Sequence, residues 1–247
     1  MKPIYCPDYY KDFKCTASFC KHTCCAGWEI DIDEVSLQRF LGFPDIAEHI
    51  RDGSIILDKD ERCPFLRKDG LCQMITDHGE DFICDICKEH PRFYNEYEDH
   101  IEAGLGLVCE EACRIILDHE VTSSPAPLRE LKSNILTSRE RARFLKTLEV
   151  MDPEWTKITD RITELDISLS DEEKAISGHE NEFTNFTSYL LYRYPGQTGF
   201  AAESTYLLAD LITAGIEIHE AARMFSGEIE YSDINIDTAI EFFNSDD

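Results

Sequence analysis

The amino-acid sequence predicts a mainly α-helical protein, in which a loop-rich N-terminal half organised by cysteines and metal packs with a helical C-terminal half. Two observations support this fold class. All eleven cysteines lie between Cys6 and Cys113, in short elements separated by turn residues. After the breaker TSSPAP at 122–127, apolar residues recur at helical spacing. We therefore predict a cysteine-rich metal domain over 1–121 and a helical domain over 127–247.

The N-terminal half predicts short elements joined by turns. Residues 33–42 (DEVSLQRFLG) are typical of a helix, with an acidic first turn and a glycine at the end. Residues 55–58 (IILD) predict a strand, and KDG at 68–70 predicts a turn between two apolar pairs. Residues 109–119 (CEEACRIILDH) predict a second helix.

The C-terminal half predicts a succession of helices with recognisable starts. A proline begins the first helix, and serines cap later ones, at Ser170 and at Ser232. The predicted helices span 127–150, 153–166, 170–194, 200–213, 217–225 and 232–243. Their apolar faces predict one core that contains Leu128, Leu131, Leu145, Leu190, Leu191, Leu207, Leu208, Leu211 and Phe242.

The charge of the chain restricts its partners. The formal net charge is -26, from 24 basic and 50 acidic residues. Such a surface repels phosphate backbones and anionic lipid headgroups, so we expect neither nucleic acid nor membrane as a partner, whereas lysine-rich proteins are attracted. The sequence has neither a long apolar run nor the apolar core of a signal peptide. We therefore predict a cytoplasmic protein with reduced thiols, and an odd number of cysteines also argues against a disulfide framework.

The close spacing of the cysteines favours metal binding. Thiolates bind zinc or an iron–sulfur cluster, and four of them satisfy either one. The candidates are two cysteines that share a helix face if their segment is helical (Cys20 and Cys24), their neighbour Cys25, the pair that flanks the KDG turn (Cys63 and Cys72), the C-x-x-C pair (Cys84 and Cys87), and Cys109 at a predicted helix start.

Other functions of these side chains remain open at this point. A C-x-x-C pair is also typical of a redox dithiol, and the spacing alone leaves the metal unidentified. We interpret Cys6 and Cys113 as small buried apolar residues. His22 and His90 lie close to candidate ligands in the sequence, and we interpret them as surface or supporting residues.

Four motifs in order resemble one family. They are PDYYKDFKC, C-x3-C-C-A-G-W, CPFLRKDGLC and C-x-x-C-K-E-H-P-R. This order is similar to that of the flagellin lysine-N-methylases, which belong to a wider group of cysteine-rich proteins proposed to chelate zinc or iron. YLLYRYP at 189–195 and ARMFSGEIEYSDINID at 222–237 resemble the C-terminal segments of that family. The region 125–180 is shorter than the resemblance leads us to expect, and Gly227 stands where we expect an arginine.

The resemblance implies transfer of a methyl group to the ε-amine of lysines on flagellin, by a protein-lysine N-methyltransferase with an iron–sulfur cluster of the 4Fe–4S type, or with zinc as the alternative. It implies S-adenosylmethionine as the methyl donor. Carried over by motif, the metal ligands are Cys20, Cys24, Cys25, Cys63, Cys72, Cys84, Cys87 and Cys109, with Cys15 in reserve. Because one cluster needs four thiolates, we predict that they come from Cys20, Cys24 or Cys25, Cys63 or Cys72, and Cys87.

The residues leave the catalytic machinery unassigned. Gly104-x-Gly106 is too short for a glycine-rich nucleotide loop, and the spacing C-x3-C-x2-C does not occur, so no catalytic or donor-binding residue is predicted. Two alternatives to the enzyme are a non-catalytic zinc- or iron-binding module and an iron–sulfur redox sensor, each recognising a basic partner protein. For flagellin or another lysine-bearing partner, we predict an acidic rim near the metal that consists of Glu80, Asp81, Asp85, Glu96, Glu98, Asp99 and Glu102.

Overall fold

The computed structural model describes residues 2–120 and 125–245, and most of its regular structure is helical. Its α-helices are α1 (Glu34–Phe40), α2 (Pro44–Ala47), α3 (Gln73–His78), α4 (Asp85–Glu89), α5 (Glu110–Asp118), α6 (Leu128–Leu131), α7 (Ser138–Leu145), α8 (Pro153–Leu165), α9 (Leu169–Gly178), α10 (Glu180–Arg193), α11 (Thr198–Thr213), α12 (Ile218–Phe225) and α13 (Asp233–Asn244). Its strands are β1 (Ile4–Tyr5), β2 (Ile30–Asp31), β3 (Ile50–Arg51), β4 (Ser54–Ile55), β5 (Arg92–Glu96) and β6 (Ile101–Leu105). The predicted mainly α fold class is confirmed.

The chain divides into two compact units. The cysteine-rich unit comprises Lys14–Tyr94, and the helical unit comprises Met1–Phe13 together with Asn95–Asp247. The predicted boundary at 122–127 falls partly on residues 121–124, which lie outside the described ranges, so the division into 1–121 and 127–247 stays a prediction. None of the helices in the described ranges combines the length and the apolar character that a bilayer crossing requires.

The cysteine-rich unit is built from short elements around one apolar cluster. Strands β2, β4 and β3 form an antiparallel sheet in which Ile55 of β4 pairs with Ile30 on one side and Ile50 on the other. The predicted helix at 33–42 is confirmed as α1. The predicted strand at 55–58 is confirmed only at Ile55, where β4 ends, and at Asp58 the carboxylate accepts hydrogen bonds from two following backbone N–H groups and forms a turn.

Helix α11 forms the centre of the helical unit. Every residue from Gly199 to Leu211 is buried, and helices α7, α9, α10, α12 and α13 pack around it. At its start, a Cβ atom on Gly199 would lie only 2.6 Å from the Phe243 carbonyl oxygen, so glycine permits the close approach of α13. At the N-terminal end of the chain, β1 pairs in parallel with β6, and Ile4 lies opposite Ile101.

Two predicted helices are each divided into two. The predicted helix 127–150 is wrong as one element, because the Thr137 side chain accepts a hydrogen bond from the Glu140 N–H and begins α7 afresh. The predicted helix 170–194 is likewise split into α9 and α10. Its first cap is Ser168 and not Ser170, since Ser168 forms the reciprocal pair of hydrogen bonds with Asp171. The helices predicted over 153–166, 200–213, 217–225 and 232–243 are confirmed within a few residues, the last with its Ser232 cap.

The predicted apolar core is confirmed in its centre and wrong at one end. The buried members are Leu145, Leu190, Leu207, Leu208 and Leu211, while Leu128, Leu131 and Leu191 are half-buried. Phe242 is 38% exposed, and its neighbour Phe243 is fully buried instead. Successive residues of a helix point about 100° apart, so only one of the two rings faces inward. The Phe242 ring stacks on Phe144, with ring centroids 4.1 Å apart.

A buried cation joins three helices of this unit. Arg141 of α7 is fully buried and donates hydrogen bonds to Glu172 of α9 and to two carboxylates of α11, at 2.8 Å to Asp210 and 3.2 Å to Glu203. Lys132 adds a second cation, 3.2 Å from Glu203. Three buried carboxylates thus face two cations. Removal from water disfavours the charged form of Glu172, so burial raises its pKa to about 8. The carboxyl group then keeps its proton at neutral pH, and that proton can bond to Asp210.

The first prediction concerns pH. The pKa of Glu172 is about 8 in the folded protein and about 4.3 when unfolded, so the folded state holds an extra proton between these values. The free energy of unfolding should therefore fall as pH rises from about 6 to about 9, by roughly 2–3 kcal/mol, nearly all of it below pH 8. The variant Glu172→Gln should lose much of this dependence, and the exposed neighbour variant Glu173→Gln should retain it. Urea unfolding at both pH values measures the difference, and an unchanged slope in Glu172→Gln would contradict the assignment.

The second prediction compares two glycines of the helical unit. In Gly199→Ala the new methyl group meets backbone at α13, so the free energy of unfolding should fall by about 1–3 kcal/mol. Gly227 lies in a single π-helical turn, Ser226–Glu230, and a Cβ atom there meets only Val108, at 3.8 Å. Gly227→Ala should therefore raise the free energy of unfolding, by about 0.5 kcal/mol. Chemical denaturation measures both free energies of unfolding. If the two substitutions changed them equally, the described packing at Gly199 and Gly227 would be contradicted.

Candidate metal centre

Five of the predicted ligands belong to one apolar cluster in the cysteine-rich unit. We call Cys25, Cys63, Cys72, Cys84 and Cys87 the thiol cluster. Cys63 and Cys84 are buried among Ile30, Phe40 and Phe65, and the other three pack against the same cluster. The thiol cluster thus brings cysteine side chains from four separate positions along the chain into one apolar core.

An antiparallel backbone pairing brings the first two cysteines together. Ala26 is bridged to Arg62, which places Cys25 directly opposite Cys63. The Cys63 N–H donates a hydrogen bond to the Cys25 carbonyl oxygen at 2.8 Å. Side chains directly opposite on two such strands lie on the same face. This long-range pairing joins the second and third quoted motifs.

The predicted turn at 68–70 is confirmed, and it returns the chain so that Cys72 lies opposite Leu66. The Arg67 N–H donates to the Leu71 carbonyl oxygen at 2.9 Å across the turn. Gly70 has a φ angle of +80°, and a Cβ atom there would lie 3.1 Å from the Cα atom of Ser18. Glycine is therefore required both by the backbone angle and by the neighbouring segment.

The C-x-x-C pair lies at the start of α4. The sulfur atoms of Cys84 and Cys87 are 3.6 Å apart, which is within hydrogen-bonding distance for thiols. The start of α4 is fixed by Asp33, whose carboxylate accepts hydrogen bonds from the Asp85 N–H at 3.0 Å and from the Ser36 N–H at 2.9 Å. Although burial opposes it, these bonds hold the pKa of Asp33 at about 2.

Asp33 is a positioning residue that the sequence analysis missed. The sequence shows it only as the first acidic residue of the helix predicted over 33–42. The second helix that Asp33 stabilises, α4, begins more than fifty residues later in the chain, so no local pattern in the sequence indicates this contact. The available signal is its type, because aspartate is a preferred N-cap residue.

The thiol cluster contains groups of opposite acidity. A hydrogen bond from the Cys24 thiol lowers the pKa of Cys25 to about 6, and one from Cys87 lowers the pKa of Cys84 to about 7. Burial raises the pKa of Cys63 to about 12, and the negative charges expected on Cys25 and Cys84 raise it further. The pKa of Cys72 is raised by burial, and that of Cys87 by its bond to Cys84 and by burial. Two thiolates are therefore stabilised beside three neutral thiols.

The donor type, although not the arrangement, suits a metal that prefers sulfur. The side chains around the thiol cluster are largely apolar, so sulfur is the donor type that the cluster offers. Soft thiolate donors select zinc or an iron–sulfur cluster over calcium or magnesium. Within residues 2–120 and 125–245, no three His, Cys, Asp or Glu side chains are arranged as a group that could hold a metal ion. Metal binding by these cysteines stays a prediction.

The remaining predicted ligands lie elsewhere. The segment that contains Cys20 and Cys24 is not helical, so the condition for a shared helix face is not met: it consists of bends and turns that end at the Ala26 bridge. Cys20 is half-buried with its sulfur 2.9 Å from the Thr16 hydroxyl, and Cys24 is exposed. Cys109 belongs to the helical unit, where it is the N-cap residue of α5, so the predicted helix at 109–119 is confirmed.

The other cysteines and the two histidines occupy different surroundings. Cys113 is buried and its thiol donates to the His219 carbonyl oxygen at 3.3 Å, so it is a buried side chain as predicted. Cys6 is half-buried, and the reserve candidate Cys15 is exposed. Burial lowers the pKa of His90 to about 4, which keeps its ring neutral beside Trp28, whereas His22 is exposed.

The predicted acidic rim is largely at the surface. Its exposed members are Glu80, Asp81 and Asp85 in the cysteine-rich unit and Glu96, Glu98 and Asp99 in the helical unit. Glu102 is half-buried and accepts a hydrogen bond from the Tyr97 hydroxyl at 3.1 Å. Each group of carboxylates gives its own unit a negative surface.

These features define a class of protein: a mainly helical chain with a cluster of cysteine thiols in a loop-rich unit. The chain is 28% identical over 127 residues to the lysine-N-methylases of Salmonella choleraesuis and Salmonella typhimurium, a match that covers 45% of this chain and 32% of each relative. It is also 28% identical over 127 residues to the flagellar biosynthetic protein FliU of Salmonella muenchen, of which 75% is covered. The similarity to the flagellin lysine-N-methylases is thus confirmed.

The chain spans about a third of the length of the curated lysine-N-methylases that it matches. No family model matches the chain, and no solved structure matches it.

The third prediction tests how Asp33 positions the C-x-x-C pair. Asp33→Ala removes the carboxylate from two helix starts, so the free energy of unfolding should fall by about 1–2 kcal/mol. The reaction of Cys84 with a thiol reagent should become faster, because α4 loses its fixed first turn. The matched control is the exposed neighbour variant Glu34→Ala, which should change neither quantity by much. Unchanged stability in Asp33→Ala would show that the two hydrogen bonds contribute little.

Proposed function

We propose that this chain acts in methyl transfer to lysine side chains of flagellin, with a metal held by the thiol cluster. One observation carries the proposal: three of the four motifs that resemble the flagellin lysine-N-methylases supply the cysteines that meet in that cluster. Relatives named lysine-N-methylase and flagellar biosynthetic protein FliU support it at the level of similarity. This chain spans about a third of the length of the lysine-N-methylases that it matches. That it carries out the complete methyl transfer is therefore itself proposed.

The thiol cluster would hold zinc or an iron–sulfur cluster through Cys87 and three further thiolates from Cys25, Cys63, Cys72 and Cys84. The bound group would supply a Lewis acid or an electron-transfer centre. The low pKa values of Cys25 and Cys84 leave two ligands ready to bind at neutral pH, and the other thiols would release protons on binding. A cytoplasmic location, where thiols stay reduced, belongs to the same proposal.

The acceptor of the methyl group is an amine, which must lose a proton before it can form a bond to carbon. The exposed carboxylates of the predicted rim would attract a lysine-bearing partner during encounter. S-adenosylmethionine is the donor that the resemblance implies, and its binding site is left unassigned.

A redox sensor is the second candidate function. The observation that favours it is the C-x-x-C pair, whose sulfur atoms are 3.6 Å apart and whose Cys84 has a pKa of about 7. Such a pair can be oxidised to a disulfide, with the two electrons passing to a thiol–disulfide partner. Metal content separates this function from the first, since a free dithiol needs no bound metal.

The fourth prediction tests the proposed function with purified protein. The chain, prepared without oxygen, should contain iron with sulfide, or zinc, and should transfer methyl groups from S-adenosylmethionine to flagellin lysines, measured by mass spectrometry. Cys87→Ser should lose both the metal and the transfer. Cys113→Ala, a buried cysteine of the helical unit, should retain both. Full metal content in Cys87→Ser would overturn the ligand assignment, and metal-loaded protein without transfer would overturn the methylase.

A further inference from the structure

The helical unit contains a small cleft that the proposed function has not used. It has a volume of about 350 Å³, and the chain near β1, helix α5 and helix α10 form its walls. The lining includes four tyrosines, namely Tyr5, Tyr9, Tyr189 and Tyr192, together with His119 and Ile116. We call it the tyrosine cleft. Ligand sites for small molecules span roughly 300–1,000 Å³, so this cleft matches the end group of one side chain better than a large cofactor.

Hydrogen bonds hold two of the tyrosines in place through their hydroxyl groups. The Tyr192 hydroxyl donates toward backbone carbonyl oxygens of Tyr5, at 3.3 Å, and of Ala103, at 3.1 Å. The Tyr189 hydroxyl donates to the Glu230 carboxylate at 2.9 Å. Since both hydroxyl groups are used in this way, these two residues offer mainly aromatic carbon to the cleft.

The other two tyrosines are placed by ring contacts. The Tyr9 ring meets the His119 ring edge to face, with centroids 5.4 Å apart. The Tyr5 ring packs in the same manner on His100, at 5.5 Å. The cleft therefore has aromatic walls from two parts of the chain that are distant in sequence, held by defined contacts.

The side chains that are described as lining the cleft carry no fixed charge. Among residues 2–120 and 125–245, the lining contains neither lysine nor arginine, and no carboxylate that would form a direct ion pair. Arg193 is not part of the lining, but its guanidinium donates to the Tyr189 hydroxyl at 2.7 Å and is paired with Glu230 at 3.4 Å. Burial and the charge of Glu102 raise the pKa of Tyr192 to about 12, so the phenol stays neutral.

Aromatic faces attract cations through their quadrupoles, and a methylated ammonium gains most because it loses little hydration on entry. An ordinary lysine ammonium has three N–H donors, and the polar side chains of the lining, Asn185 and Ser188, offer one oxygen each as acceptors. We propose that the tyrosine cleft binds a methylated onium cation, specifically the methylated ammonium of a lysine side chain. The identity of this cation rests on the proposed function, because methyl-lysine is the product of that reaction. The sulfonium group of the methyl donor shares the same chemistry and is a second source.

The experiment is a binding titration followed by the chemical shifts of the cleft tyrosines. The probes are N-acetyl-trimethyllysine methylamide, the unmethylated lysine compound, and a neutral analogue with a tert-butyl group in place of the trimethylammonium. S-adenosylmethionine and the uncharged S-adenosylhomocysteine form a second pair. We expect trimethyllysine to bind about tenfold more tightly than the neutral analogue and the unmethylated lysine.

Variants locate the binding in the cleft. Tyr5 is 58% exposed, so Tyr5→Leu should fold normally and weaken trimethyllysine binding by about three- to tenfold. Tyr5→Phe should bind within about twofold of the unchanged protein, because the ring remains. Tyr9→Leu should also weaken binding, and Tyr231→Leu, at an exposed tyrosine outside the cleft, is the matched control.

Each outcome decides the proposal. Equal binding of the charged and neutral analogues, or no binding of trimethyllysine at all, would overturn it. Preference for S-adenosylmethionine over its uncharged product, without binding of trimethyllysine, would overturn the lysine assignment and leave a donor site. The cleft and the methylase can fail independently. If the chain binds trimethyllysine but transfers no methyl group, the cleft assignment stands and the methylase is rejected. If it transfers methyl groups without binding trimethyllysine, only the cleft assignment is rejected.

Discussion

Thiol side chains and apolar side chains share one core in the cysteine-rich unit, and this shared burial constrains the whole unit. Cys84 is only 1% exposed and Cys63 only 8%, so a thiolate at either position is removed from water. A buried thiolate without a partner is costly, which is why burial raises the pKa of Cys63 so far. The short strands and helices around these residues contribute little structure of their own. Anything that neutralises the thiolates would therefore also stabilise the fold around them.

The two units would share a proposed reaction in different ways. The cysteine-rich unit offers sulfur donors and a surface with exposed Glu80, Asp81 and Asp85. The helical unit offers an aromatic cleft whose described lining has no charged side chain. Long-range attraction by carboxylates increases the rate of encounter with a basic protein, whereas aromatic faces discriminate between a methylated and an unmethylated ammonium. Encounter and discrimination are thus assigned to separate sets of side chains.

Local patterns in the sequence predicted the elements that local chemistry determines. The KDG turn, the helix at 33–42 and the cap at Ser232 each depend on a few neighbouring residues, and each is confirmed. The cysteine spacing also identified Cys84 and Cys87 as a close pair, which the structure shows.

Contacts between distant residues were beyond such patterns. Two such contacts depend on tertiary structure. One is the bridge between Ala26 and Arg62, which places Cys25 opposite Cys63. The other is the hydrogen bond from the Asp85 N–H to Asp33. The choice between Phe242 and Phe243 has the same origin. The helical pattern of apolar residues fixes the buried face only to within one residue, so it fits either ring. The packing of α11 against α13 decides which of the two is buried.

The buried Arg141 also determines how the helices can slide. Its two partners on α11, Glu203 and Asp210, lie two helical turns apart along one face. A shift of α11 by a single turn would move both carboxylates away from Arg141, and a carboxylate such as Asp210 that stays buried without its cation costs about 3–5 kcal/mol. An apolar contact surface of leucines and alanines would tolerate such a shift far better. A single guanidinium group thus selects one alignment of the central helix among several that packing alone would allow.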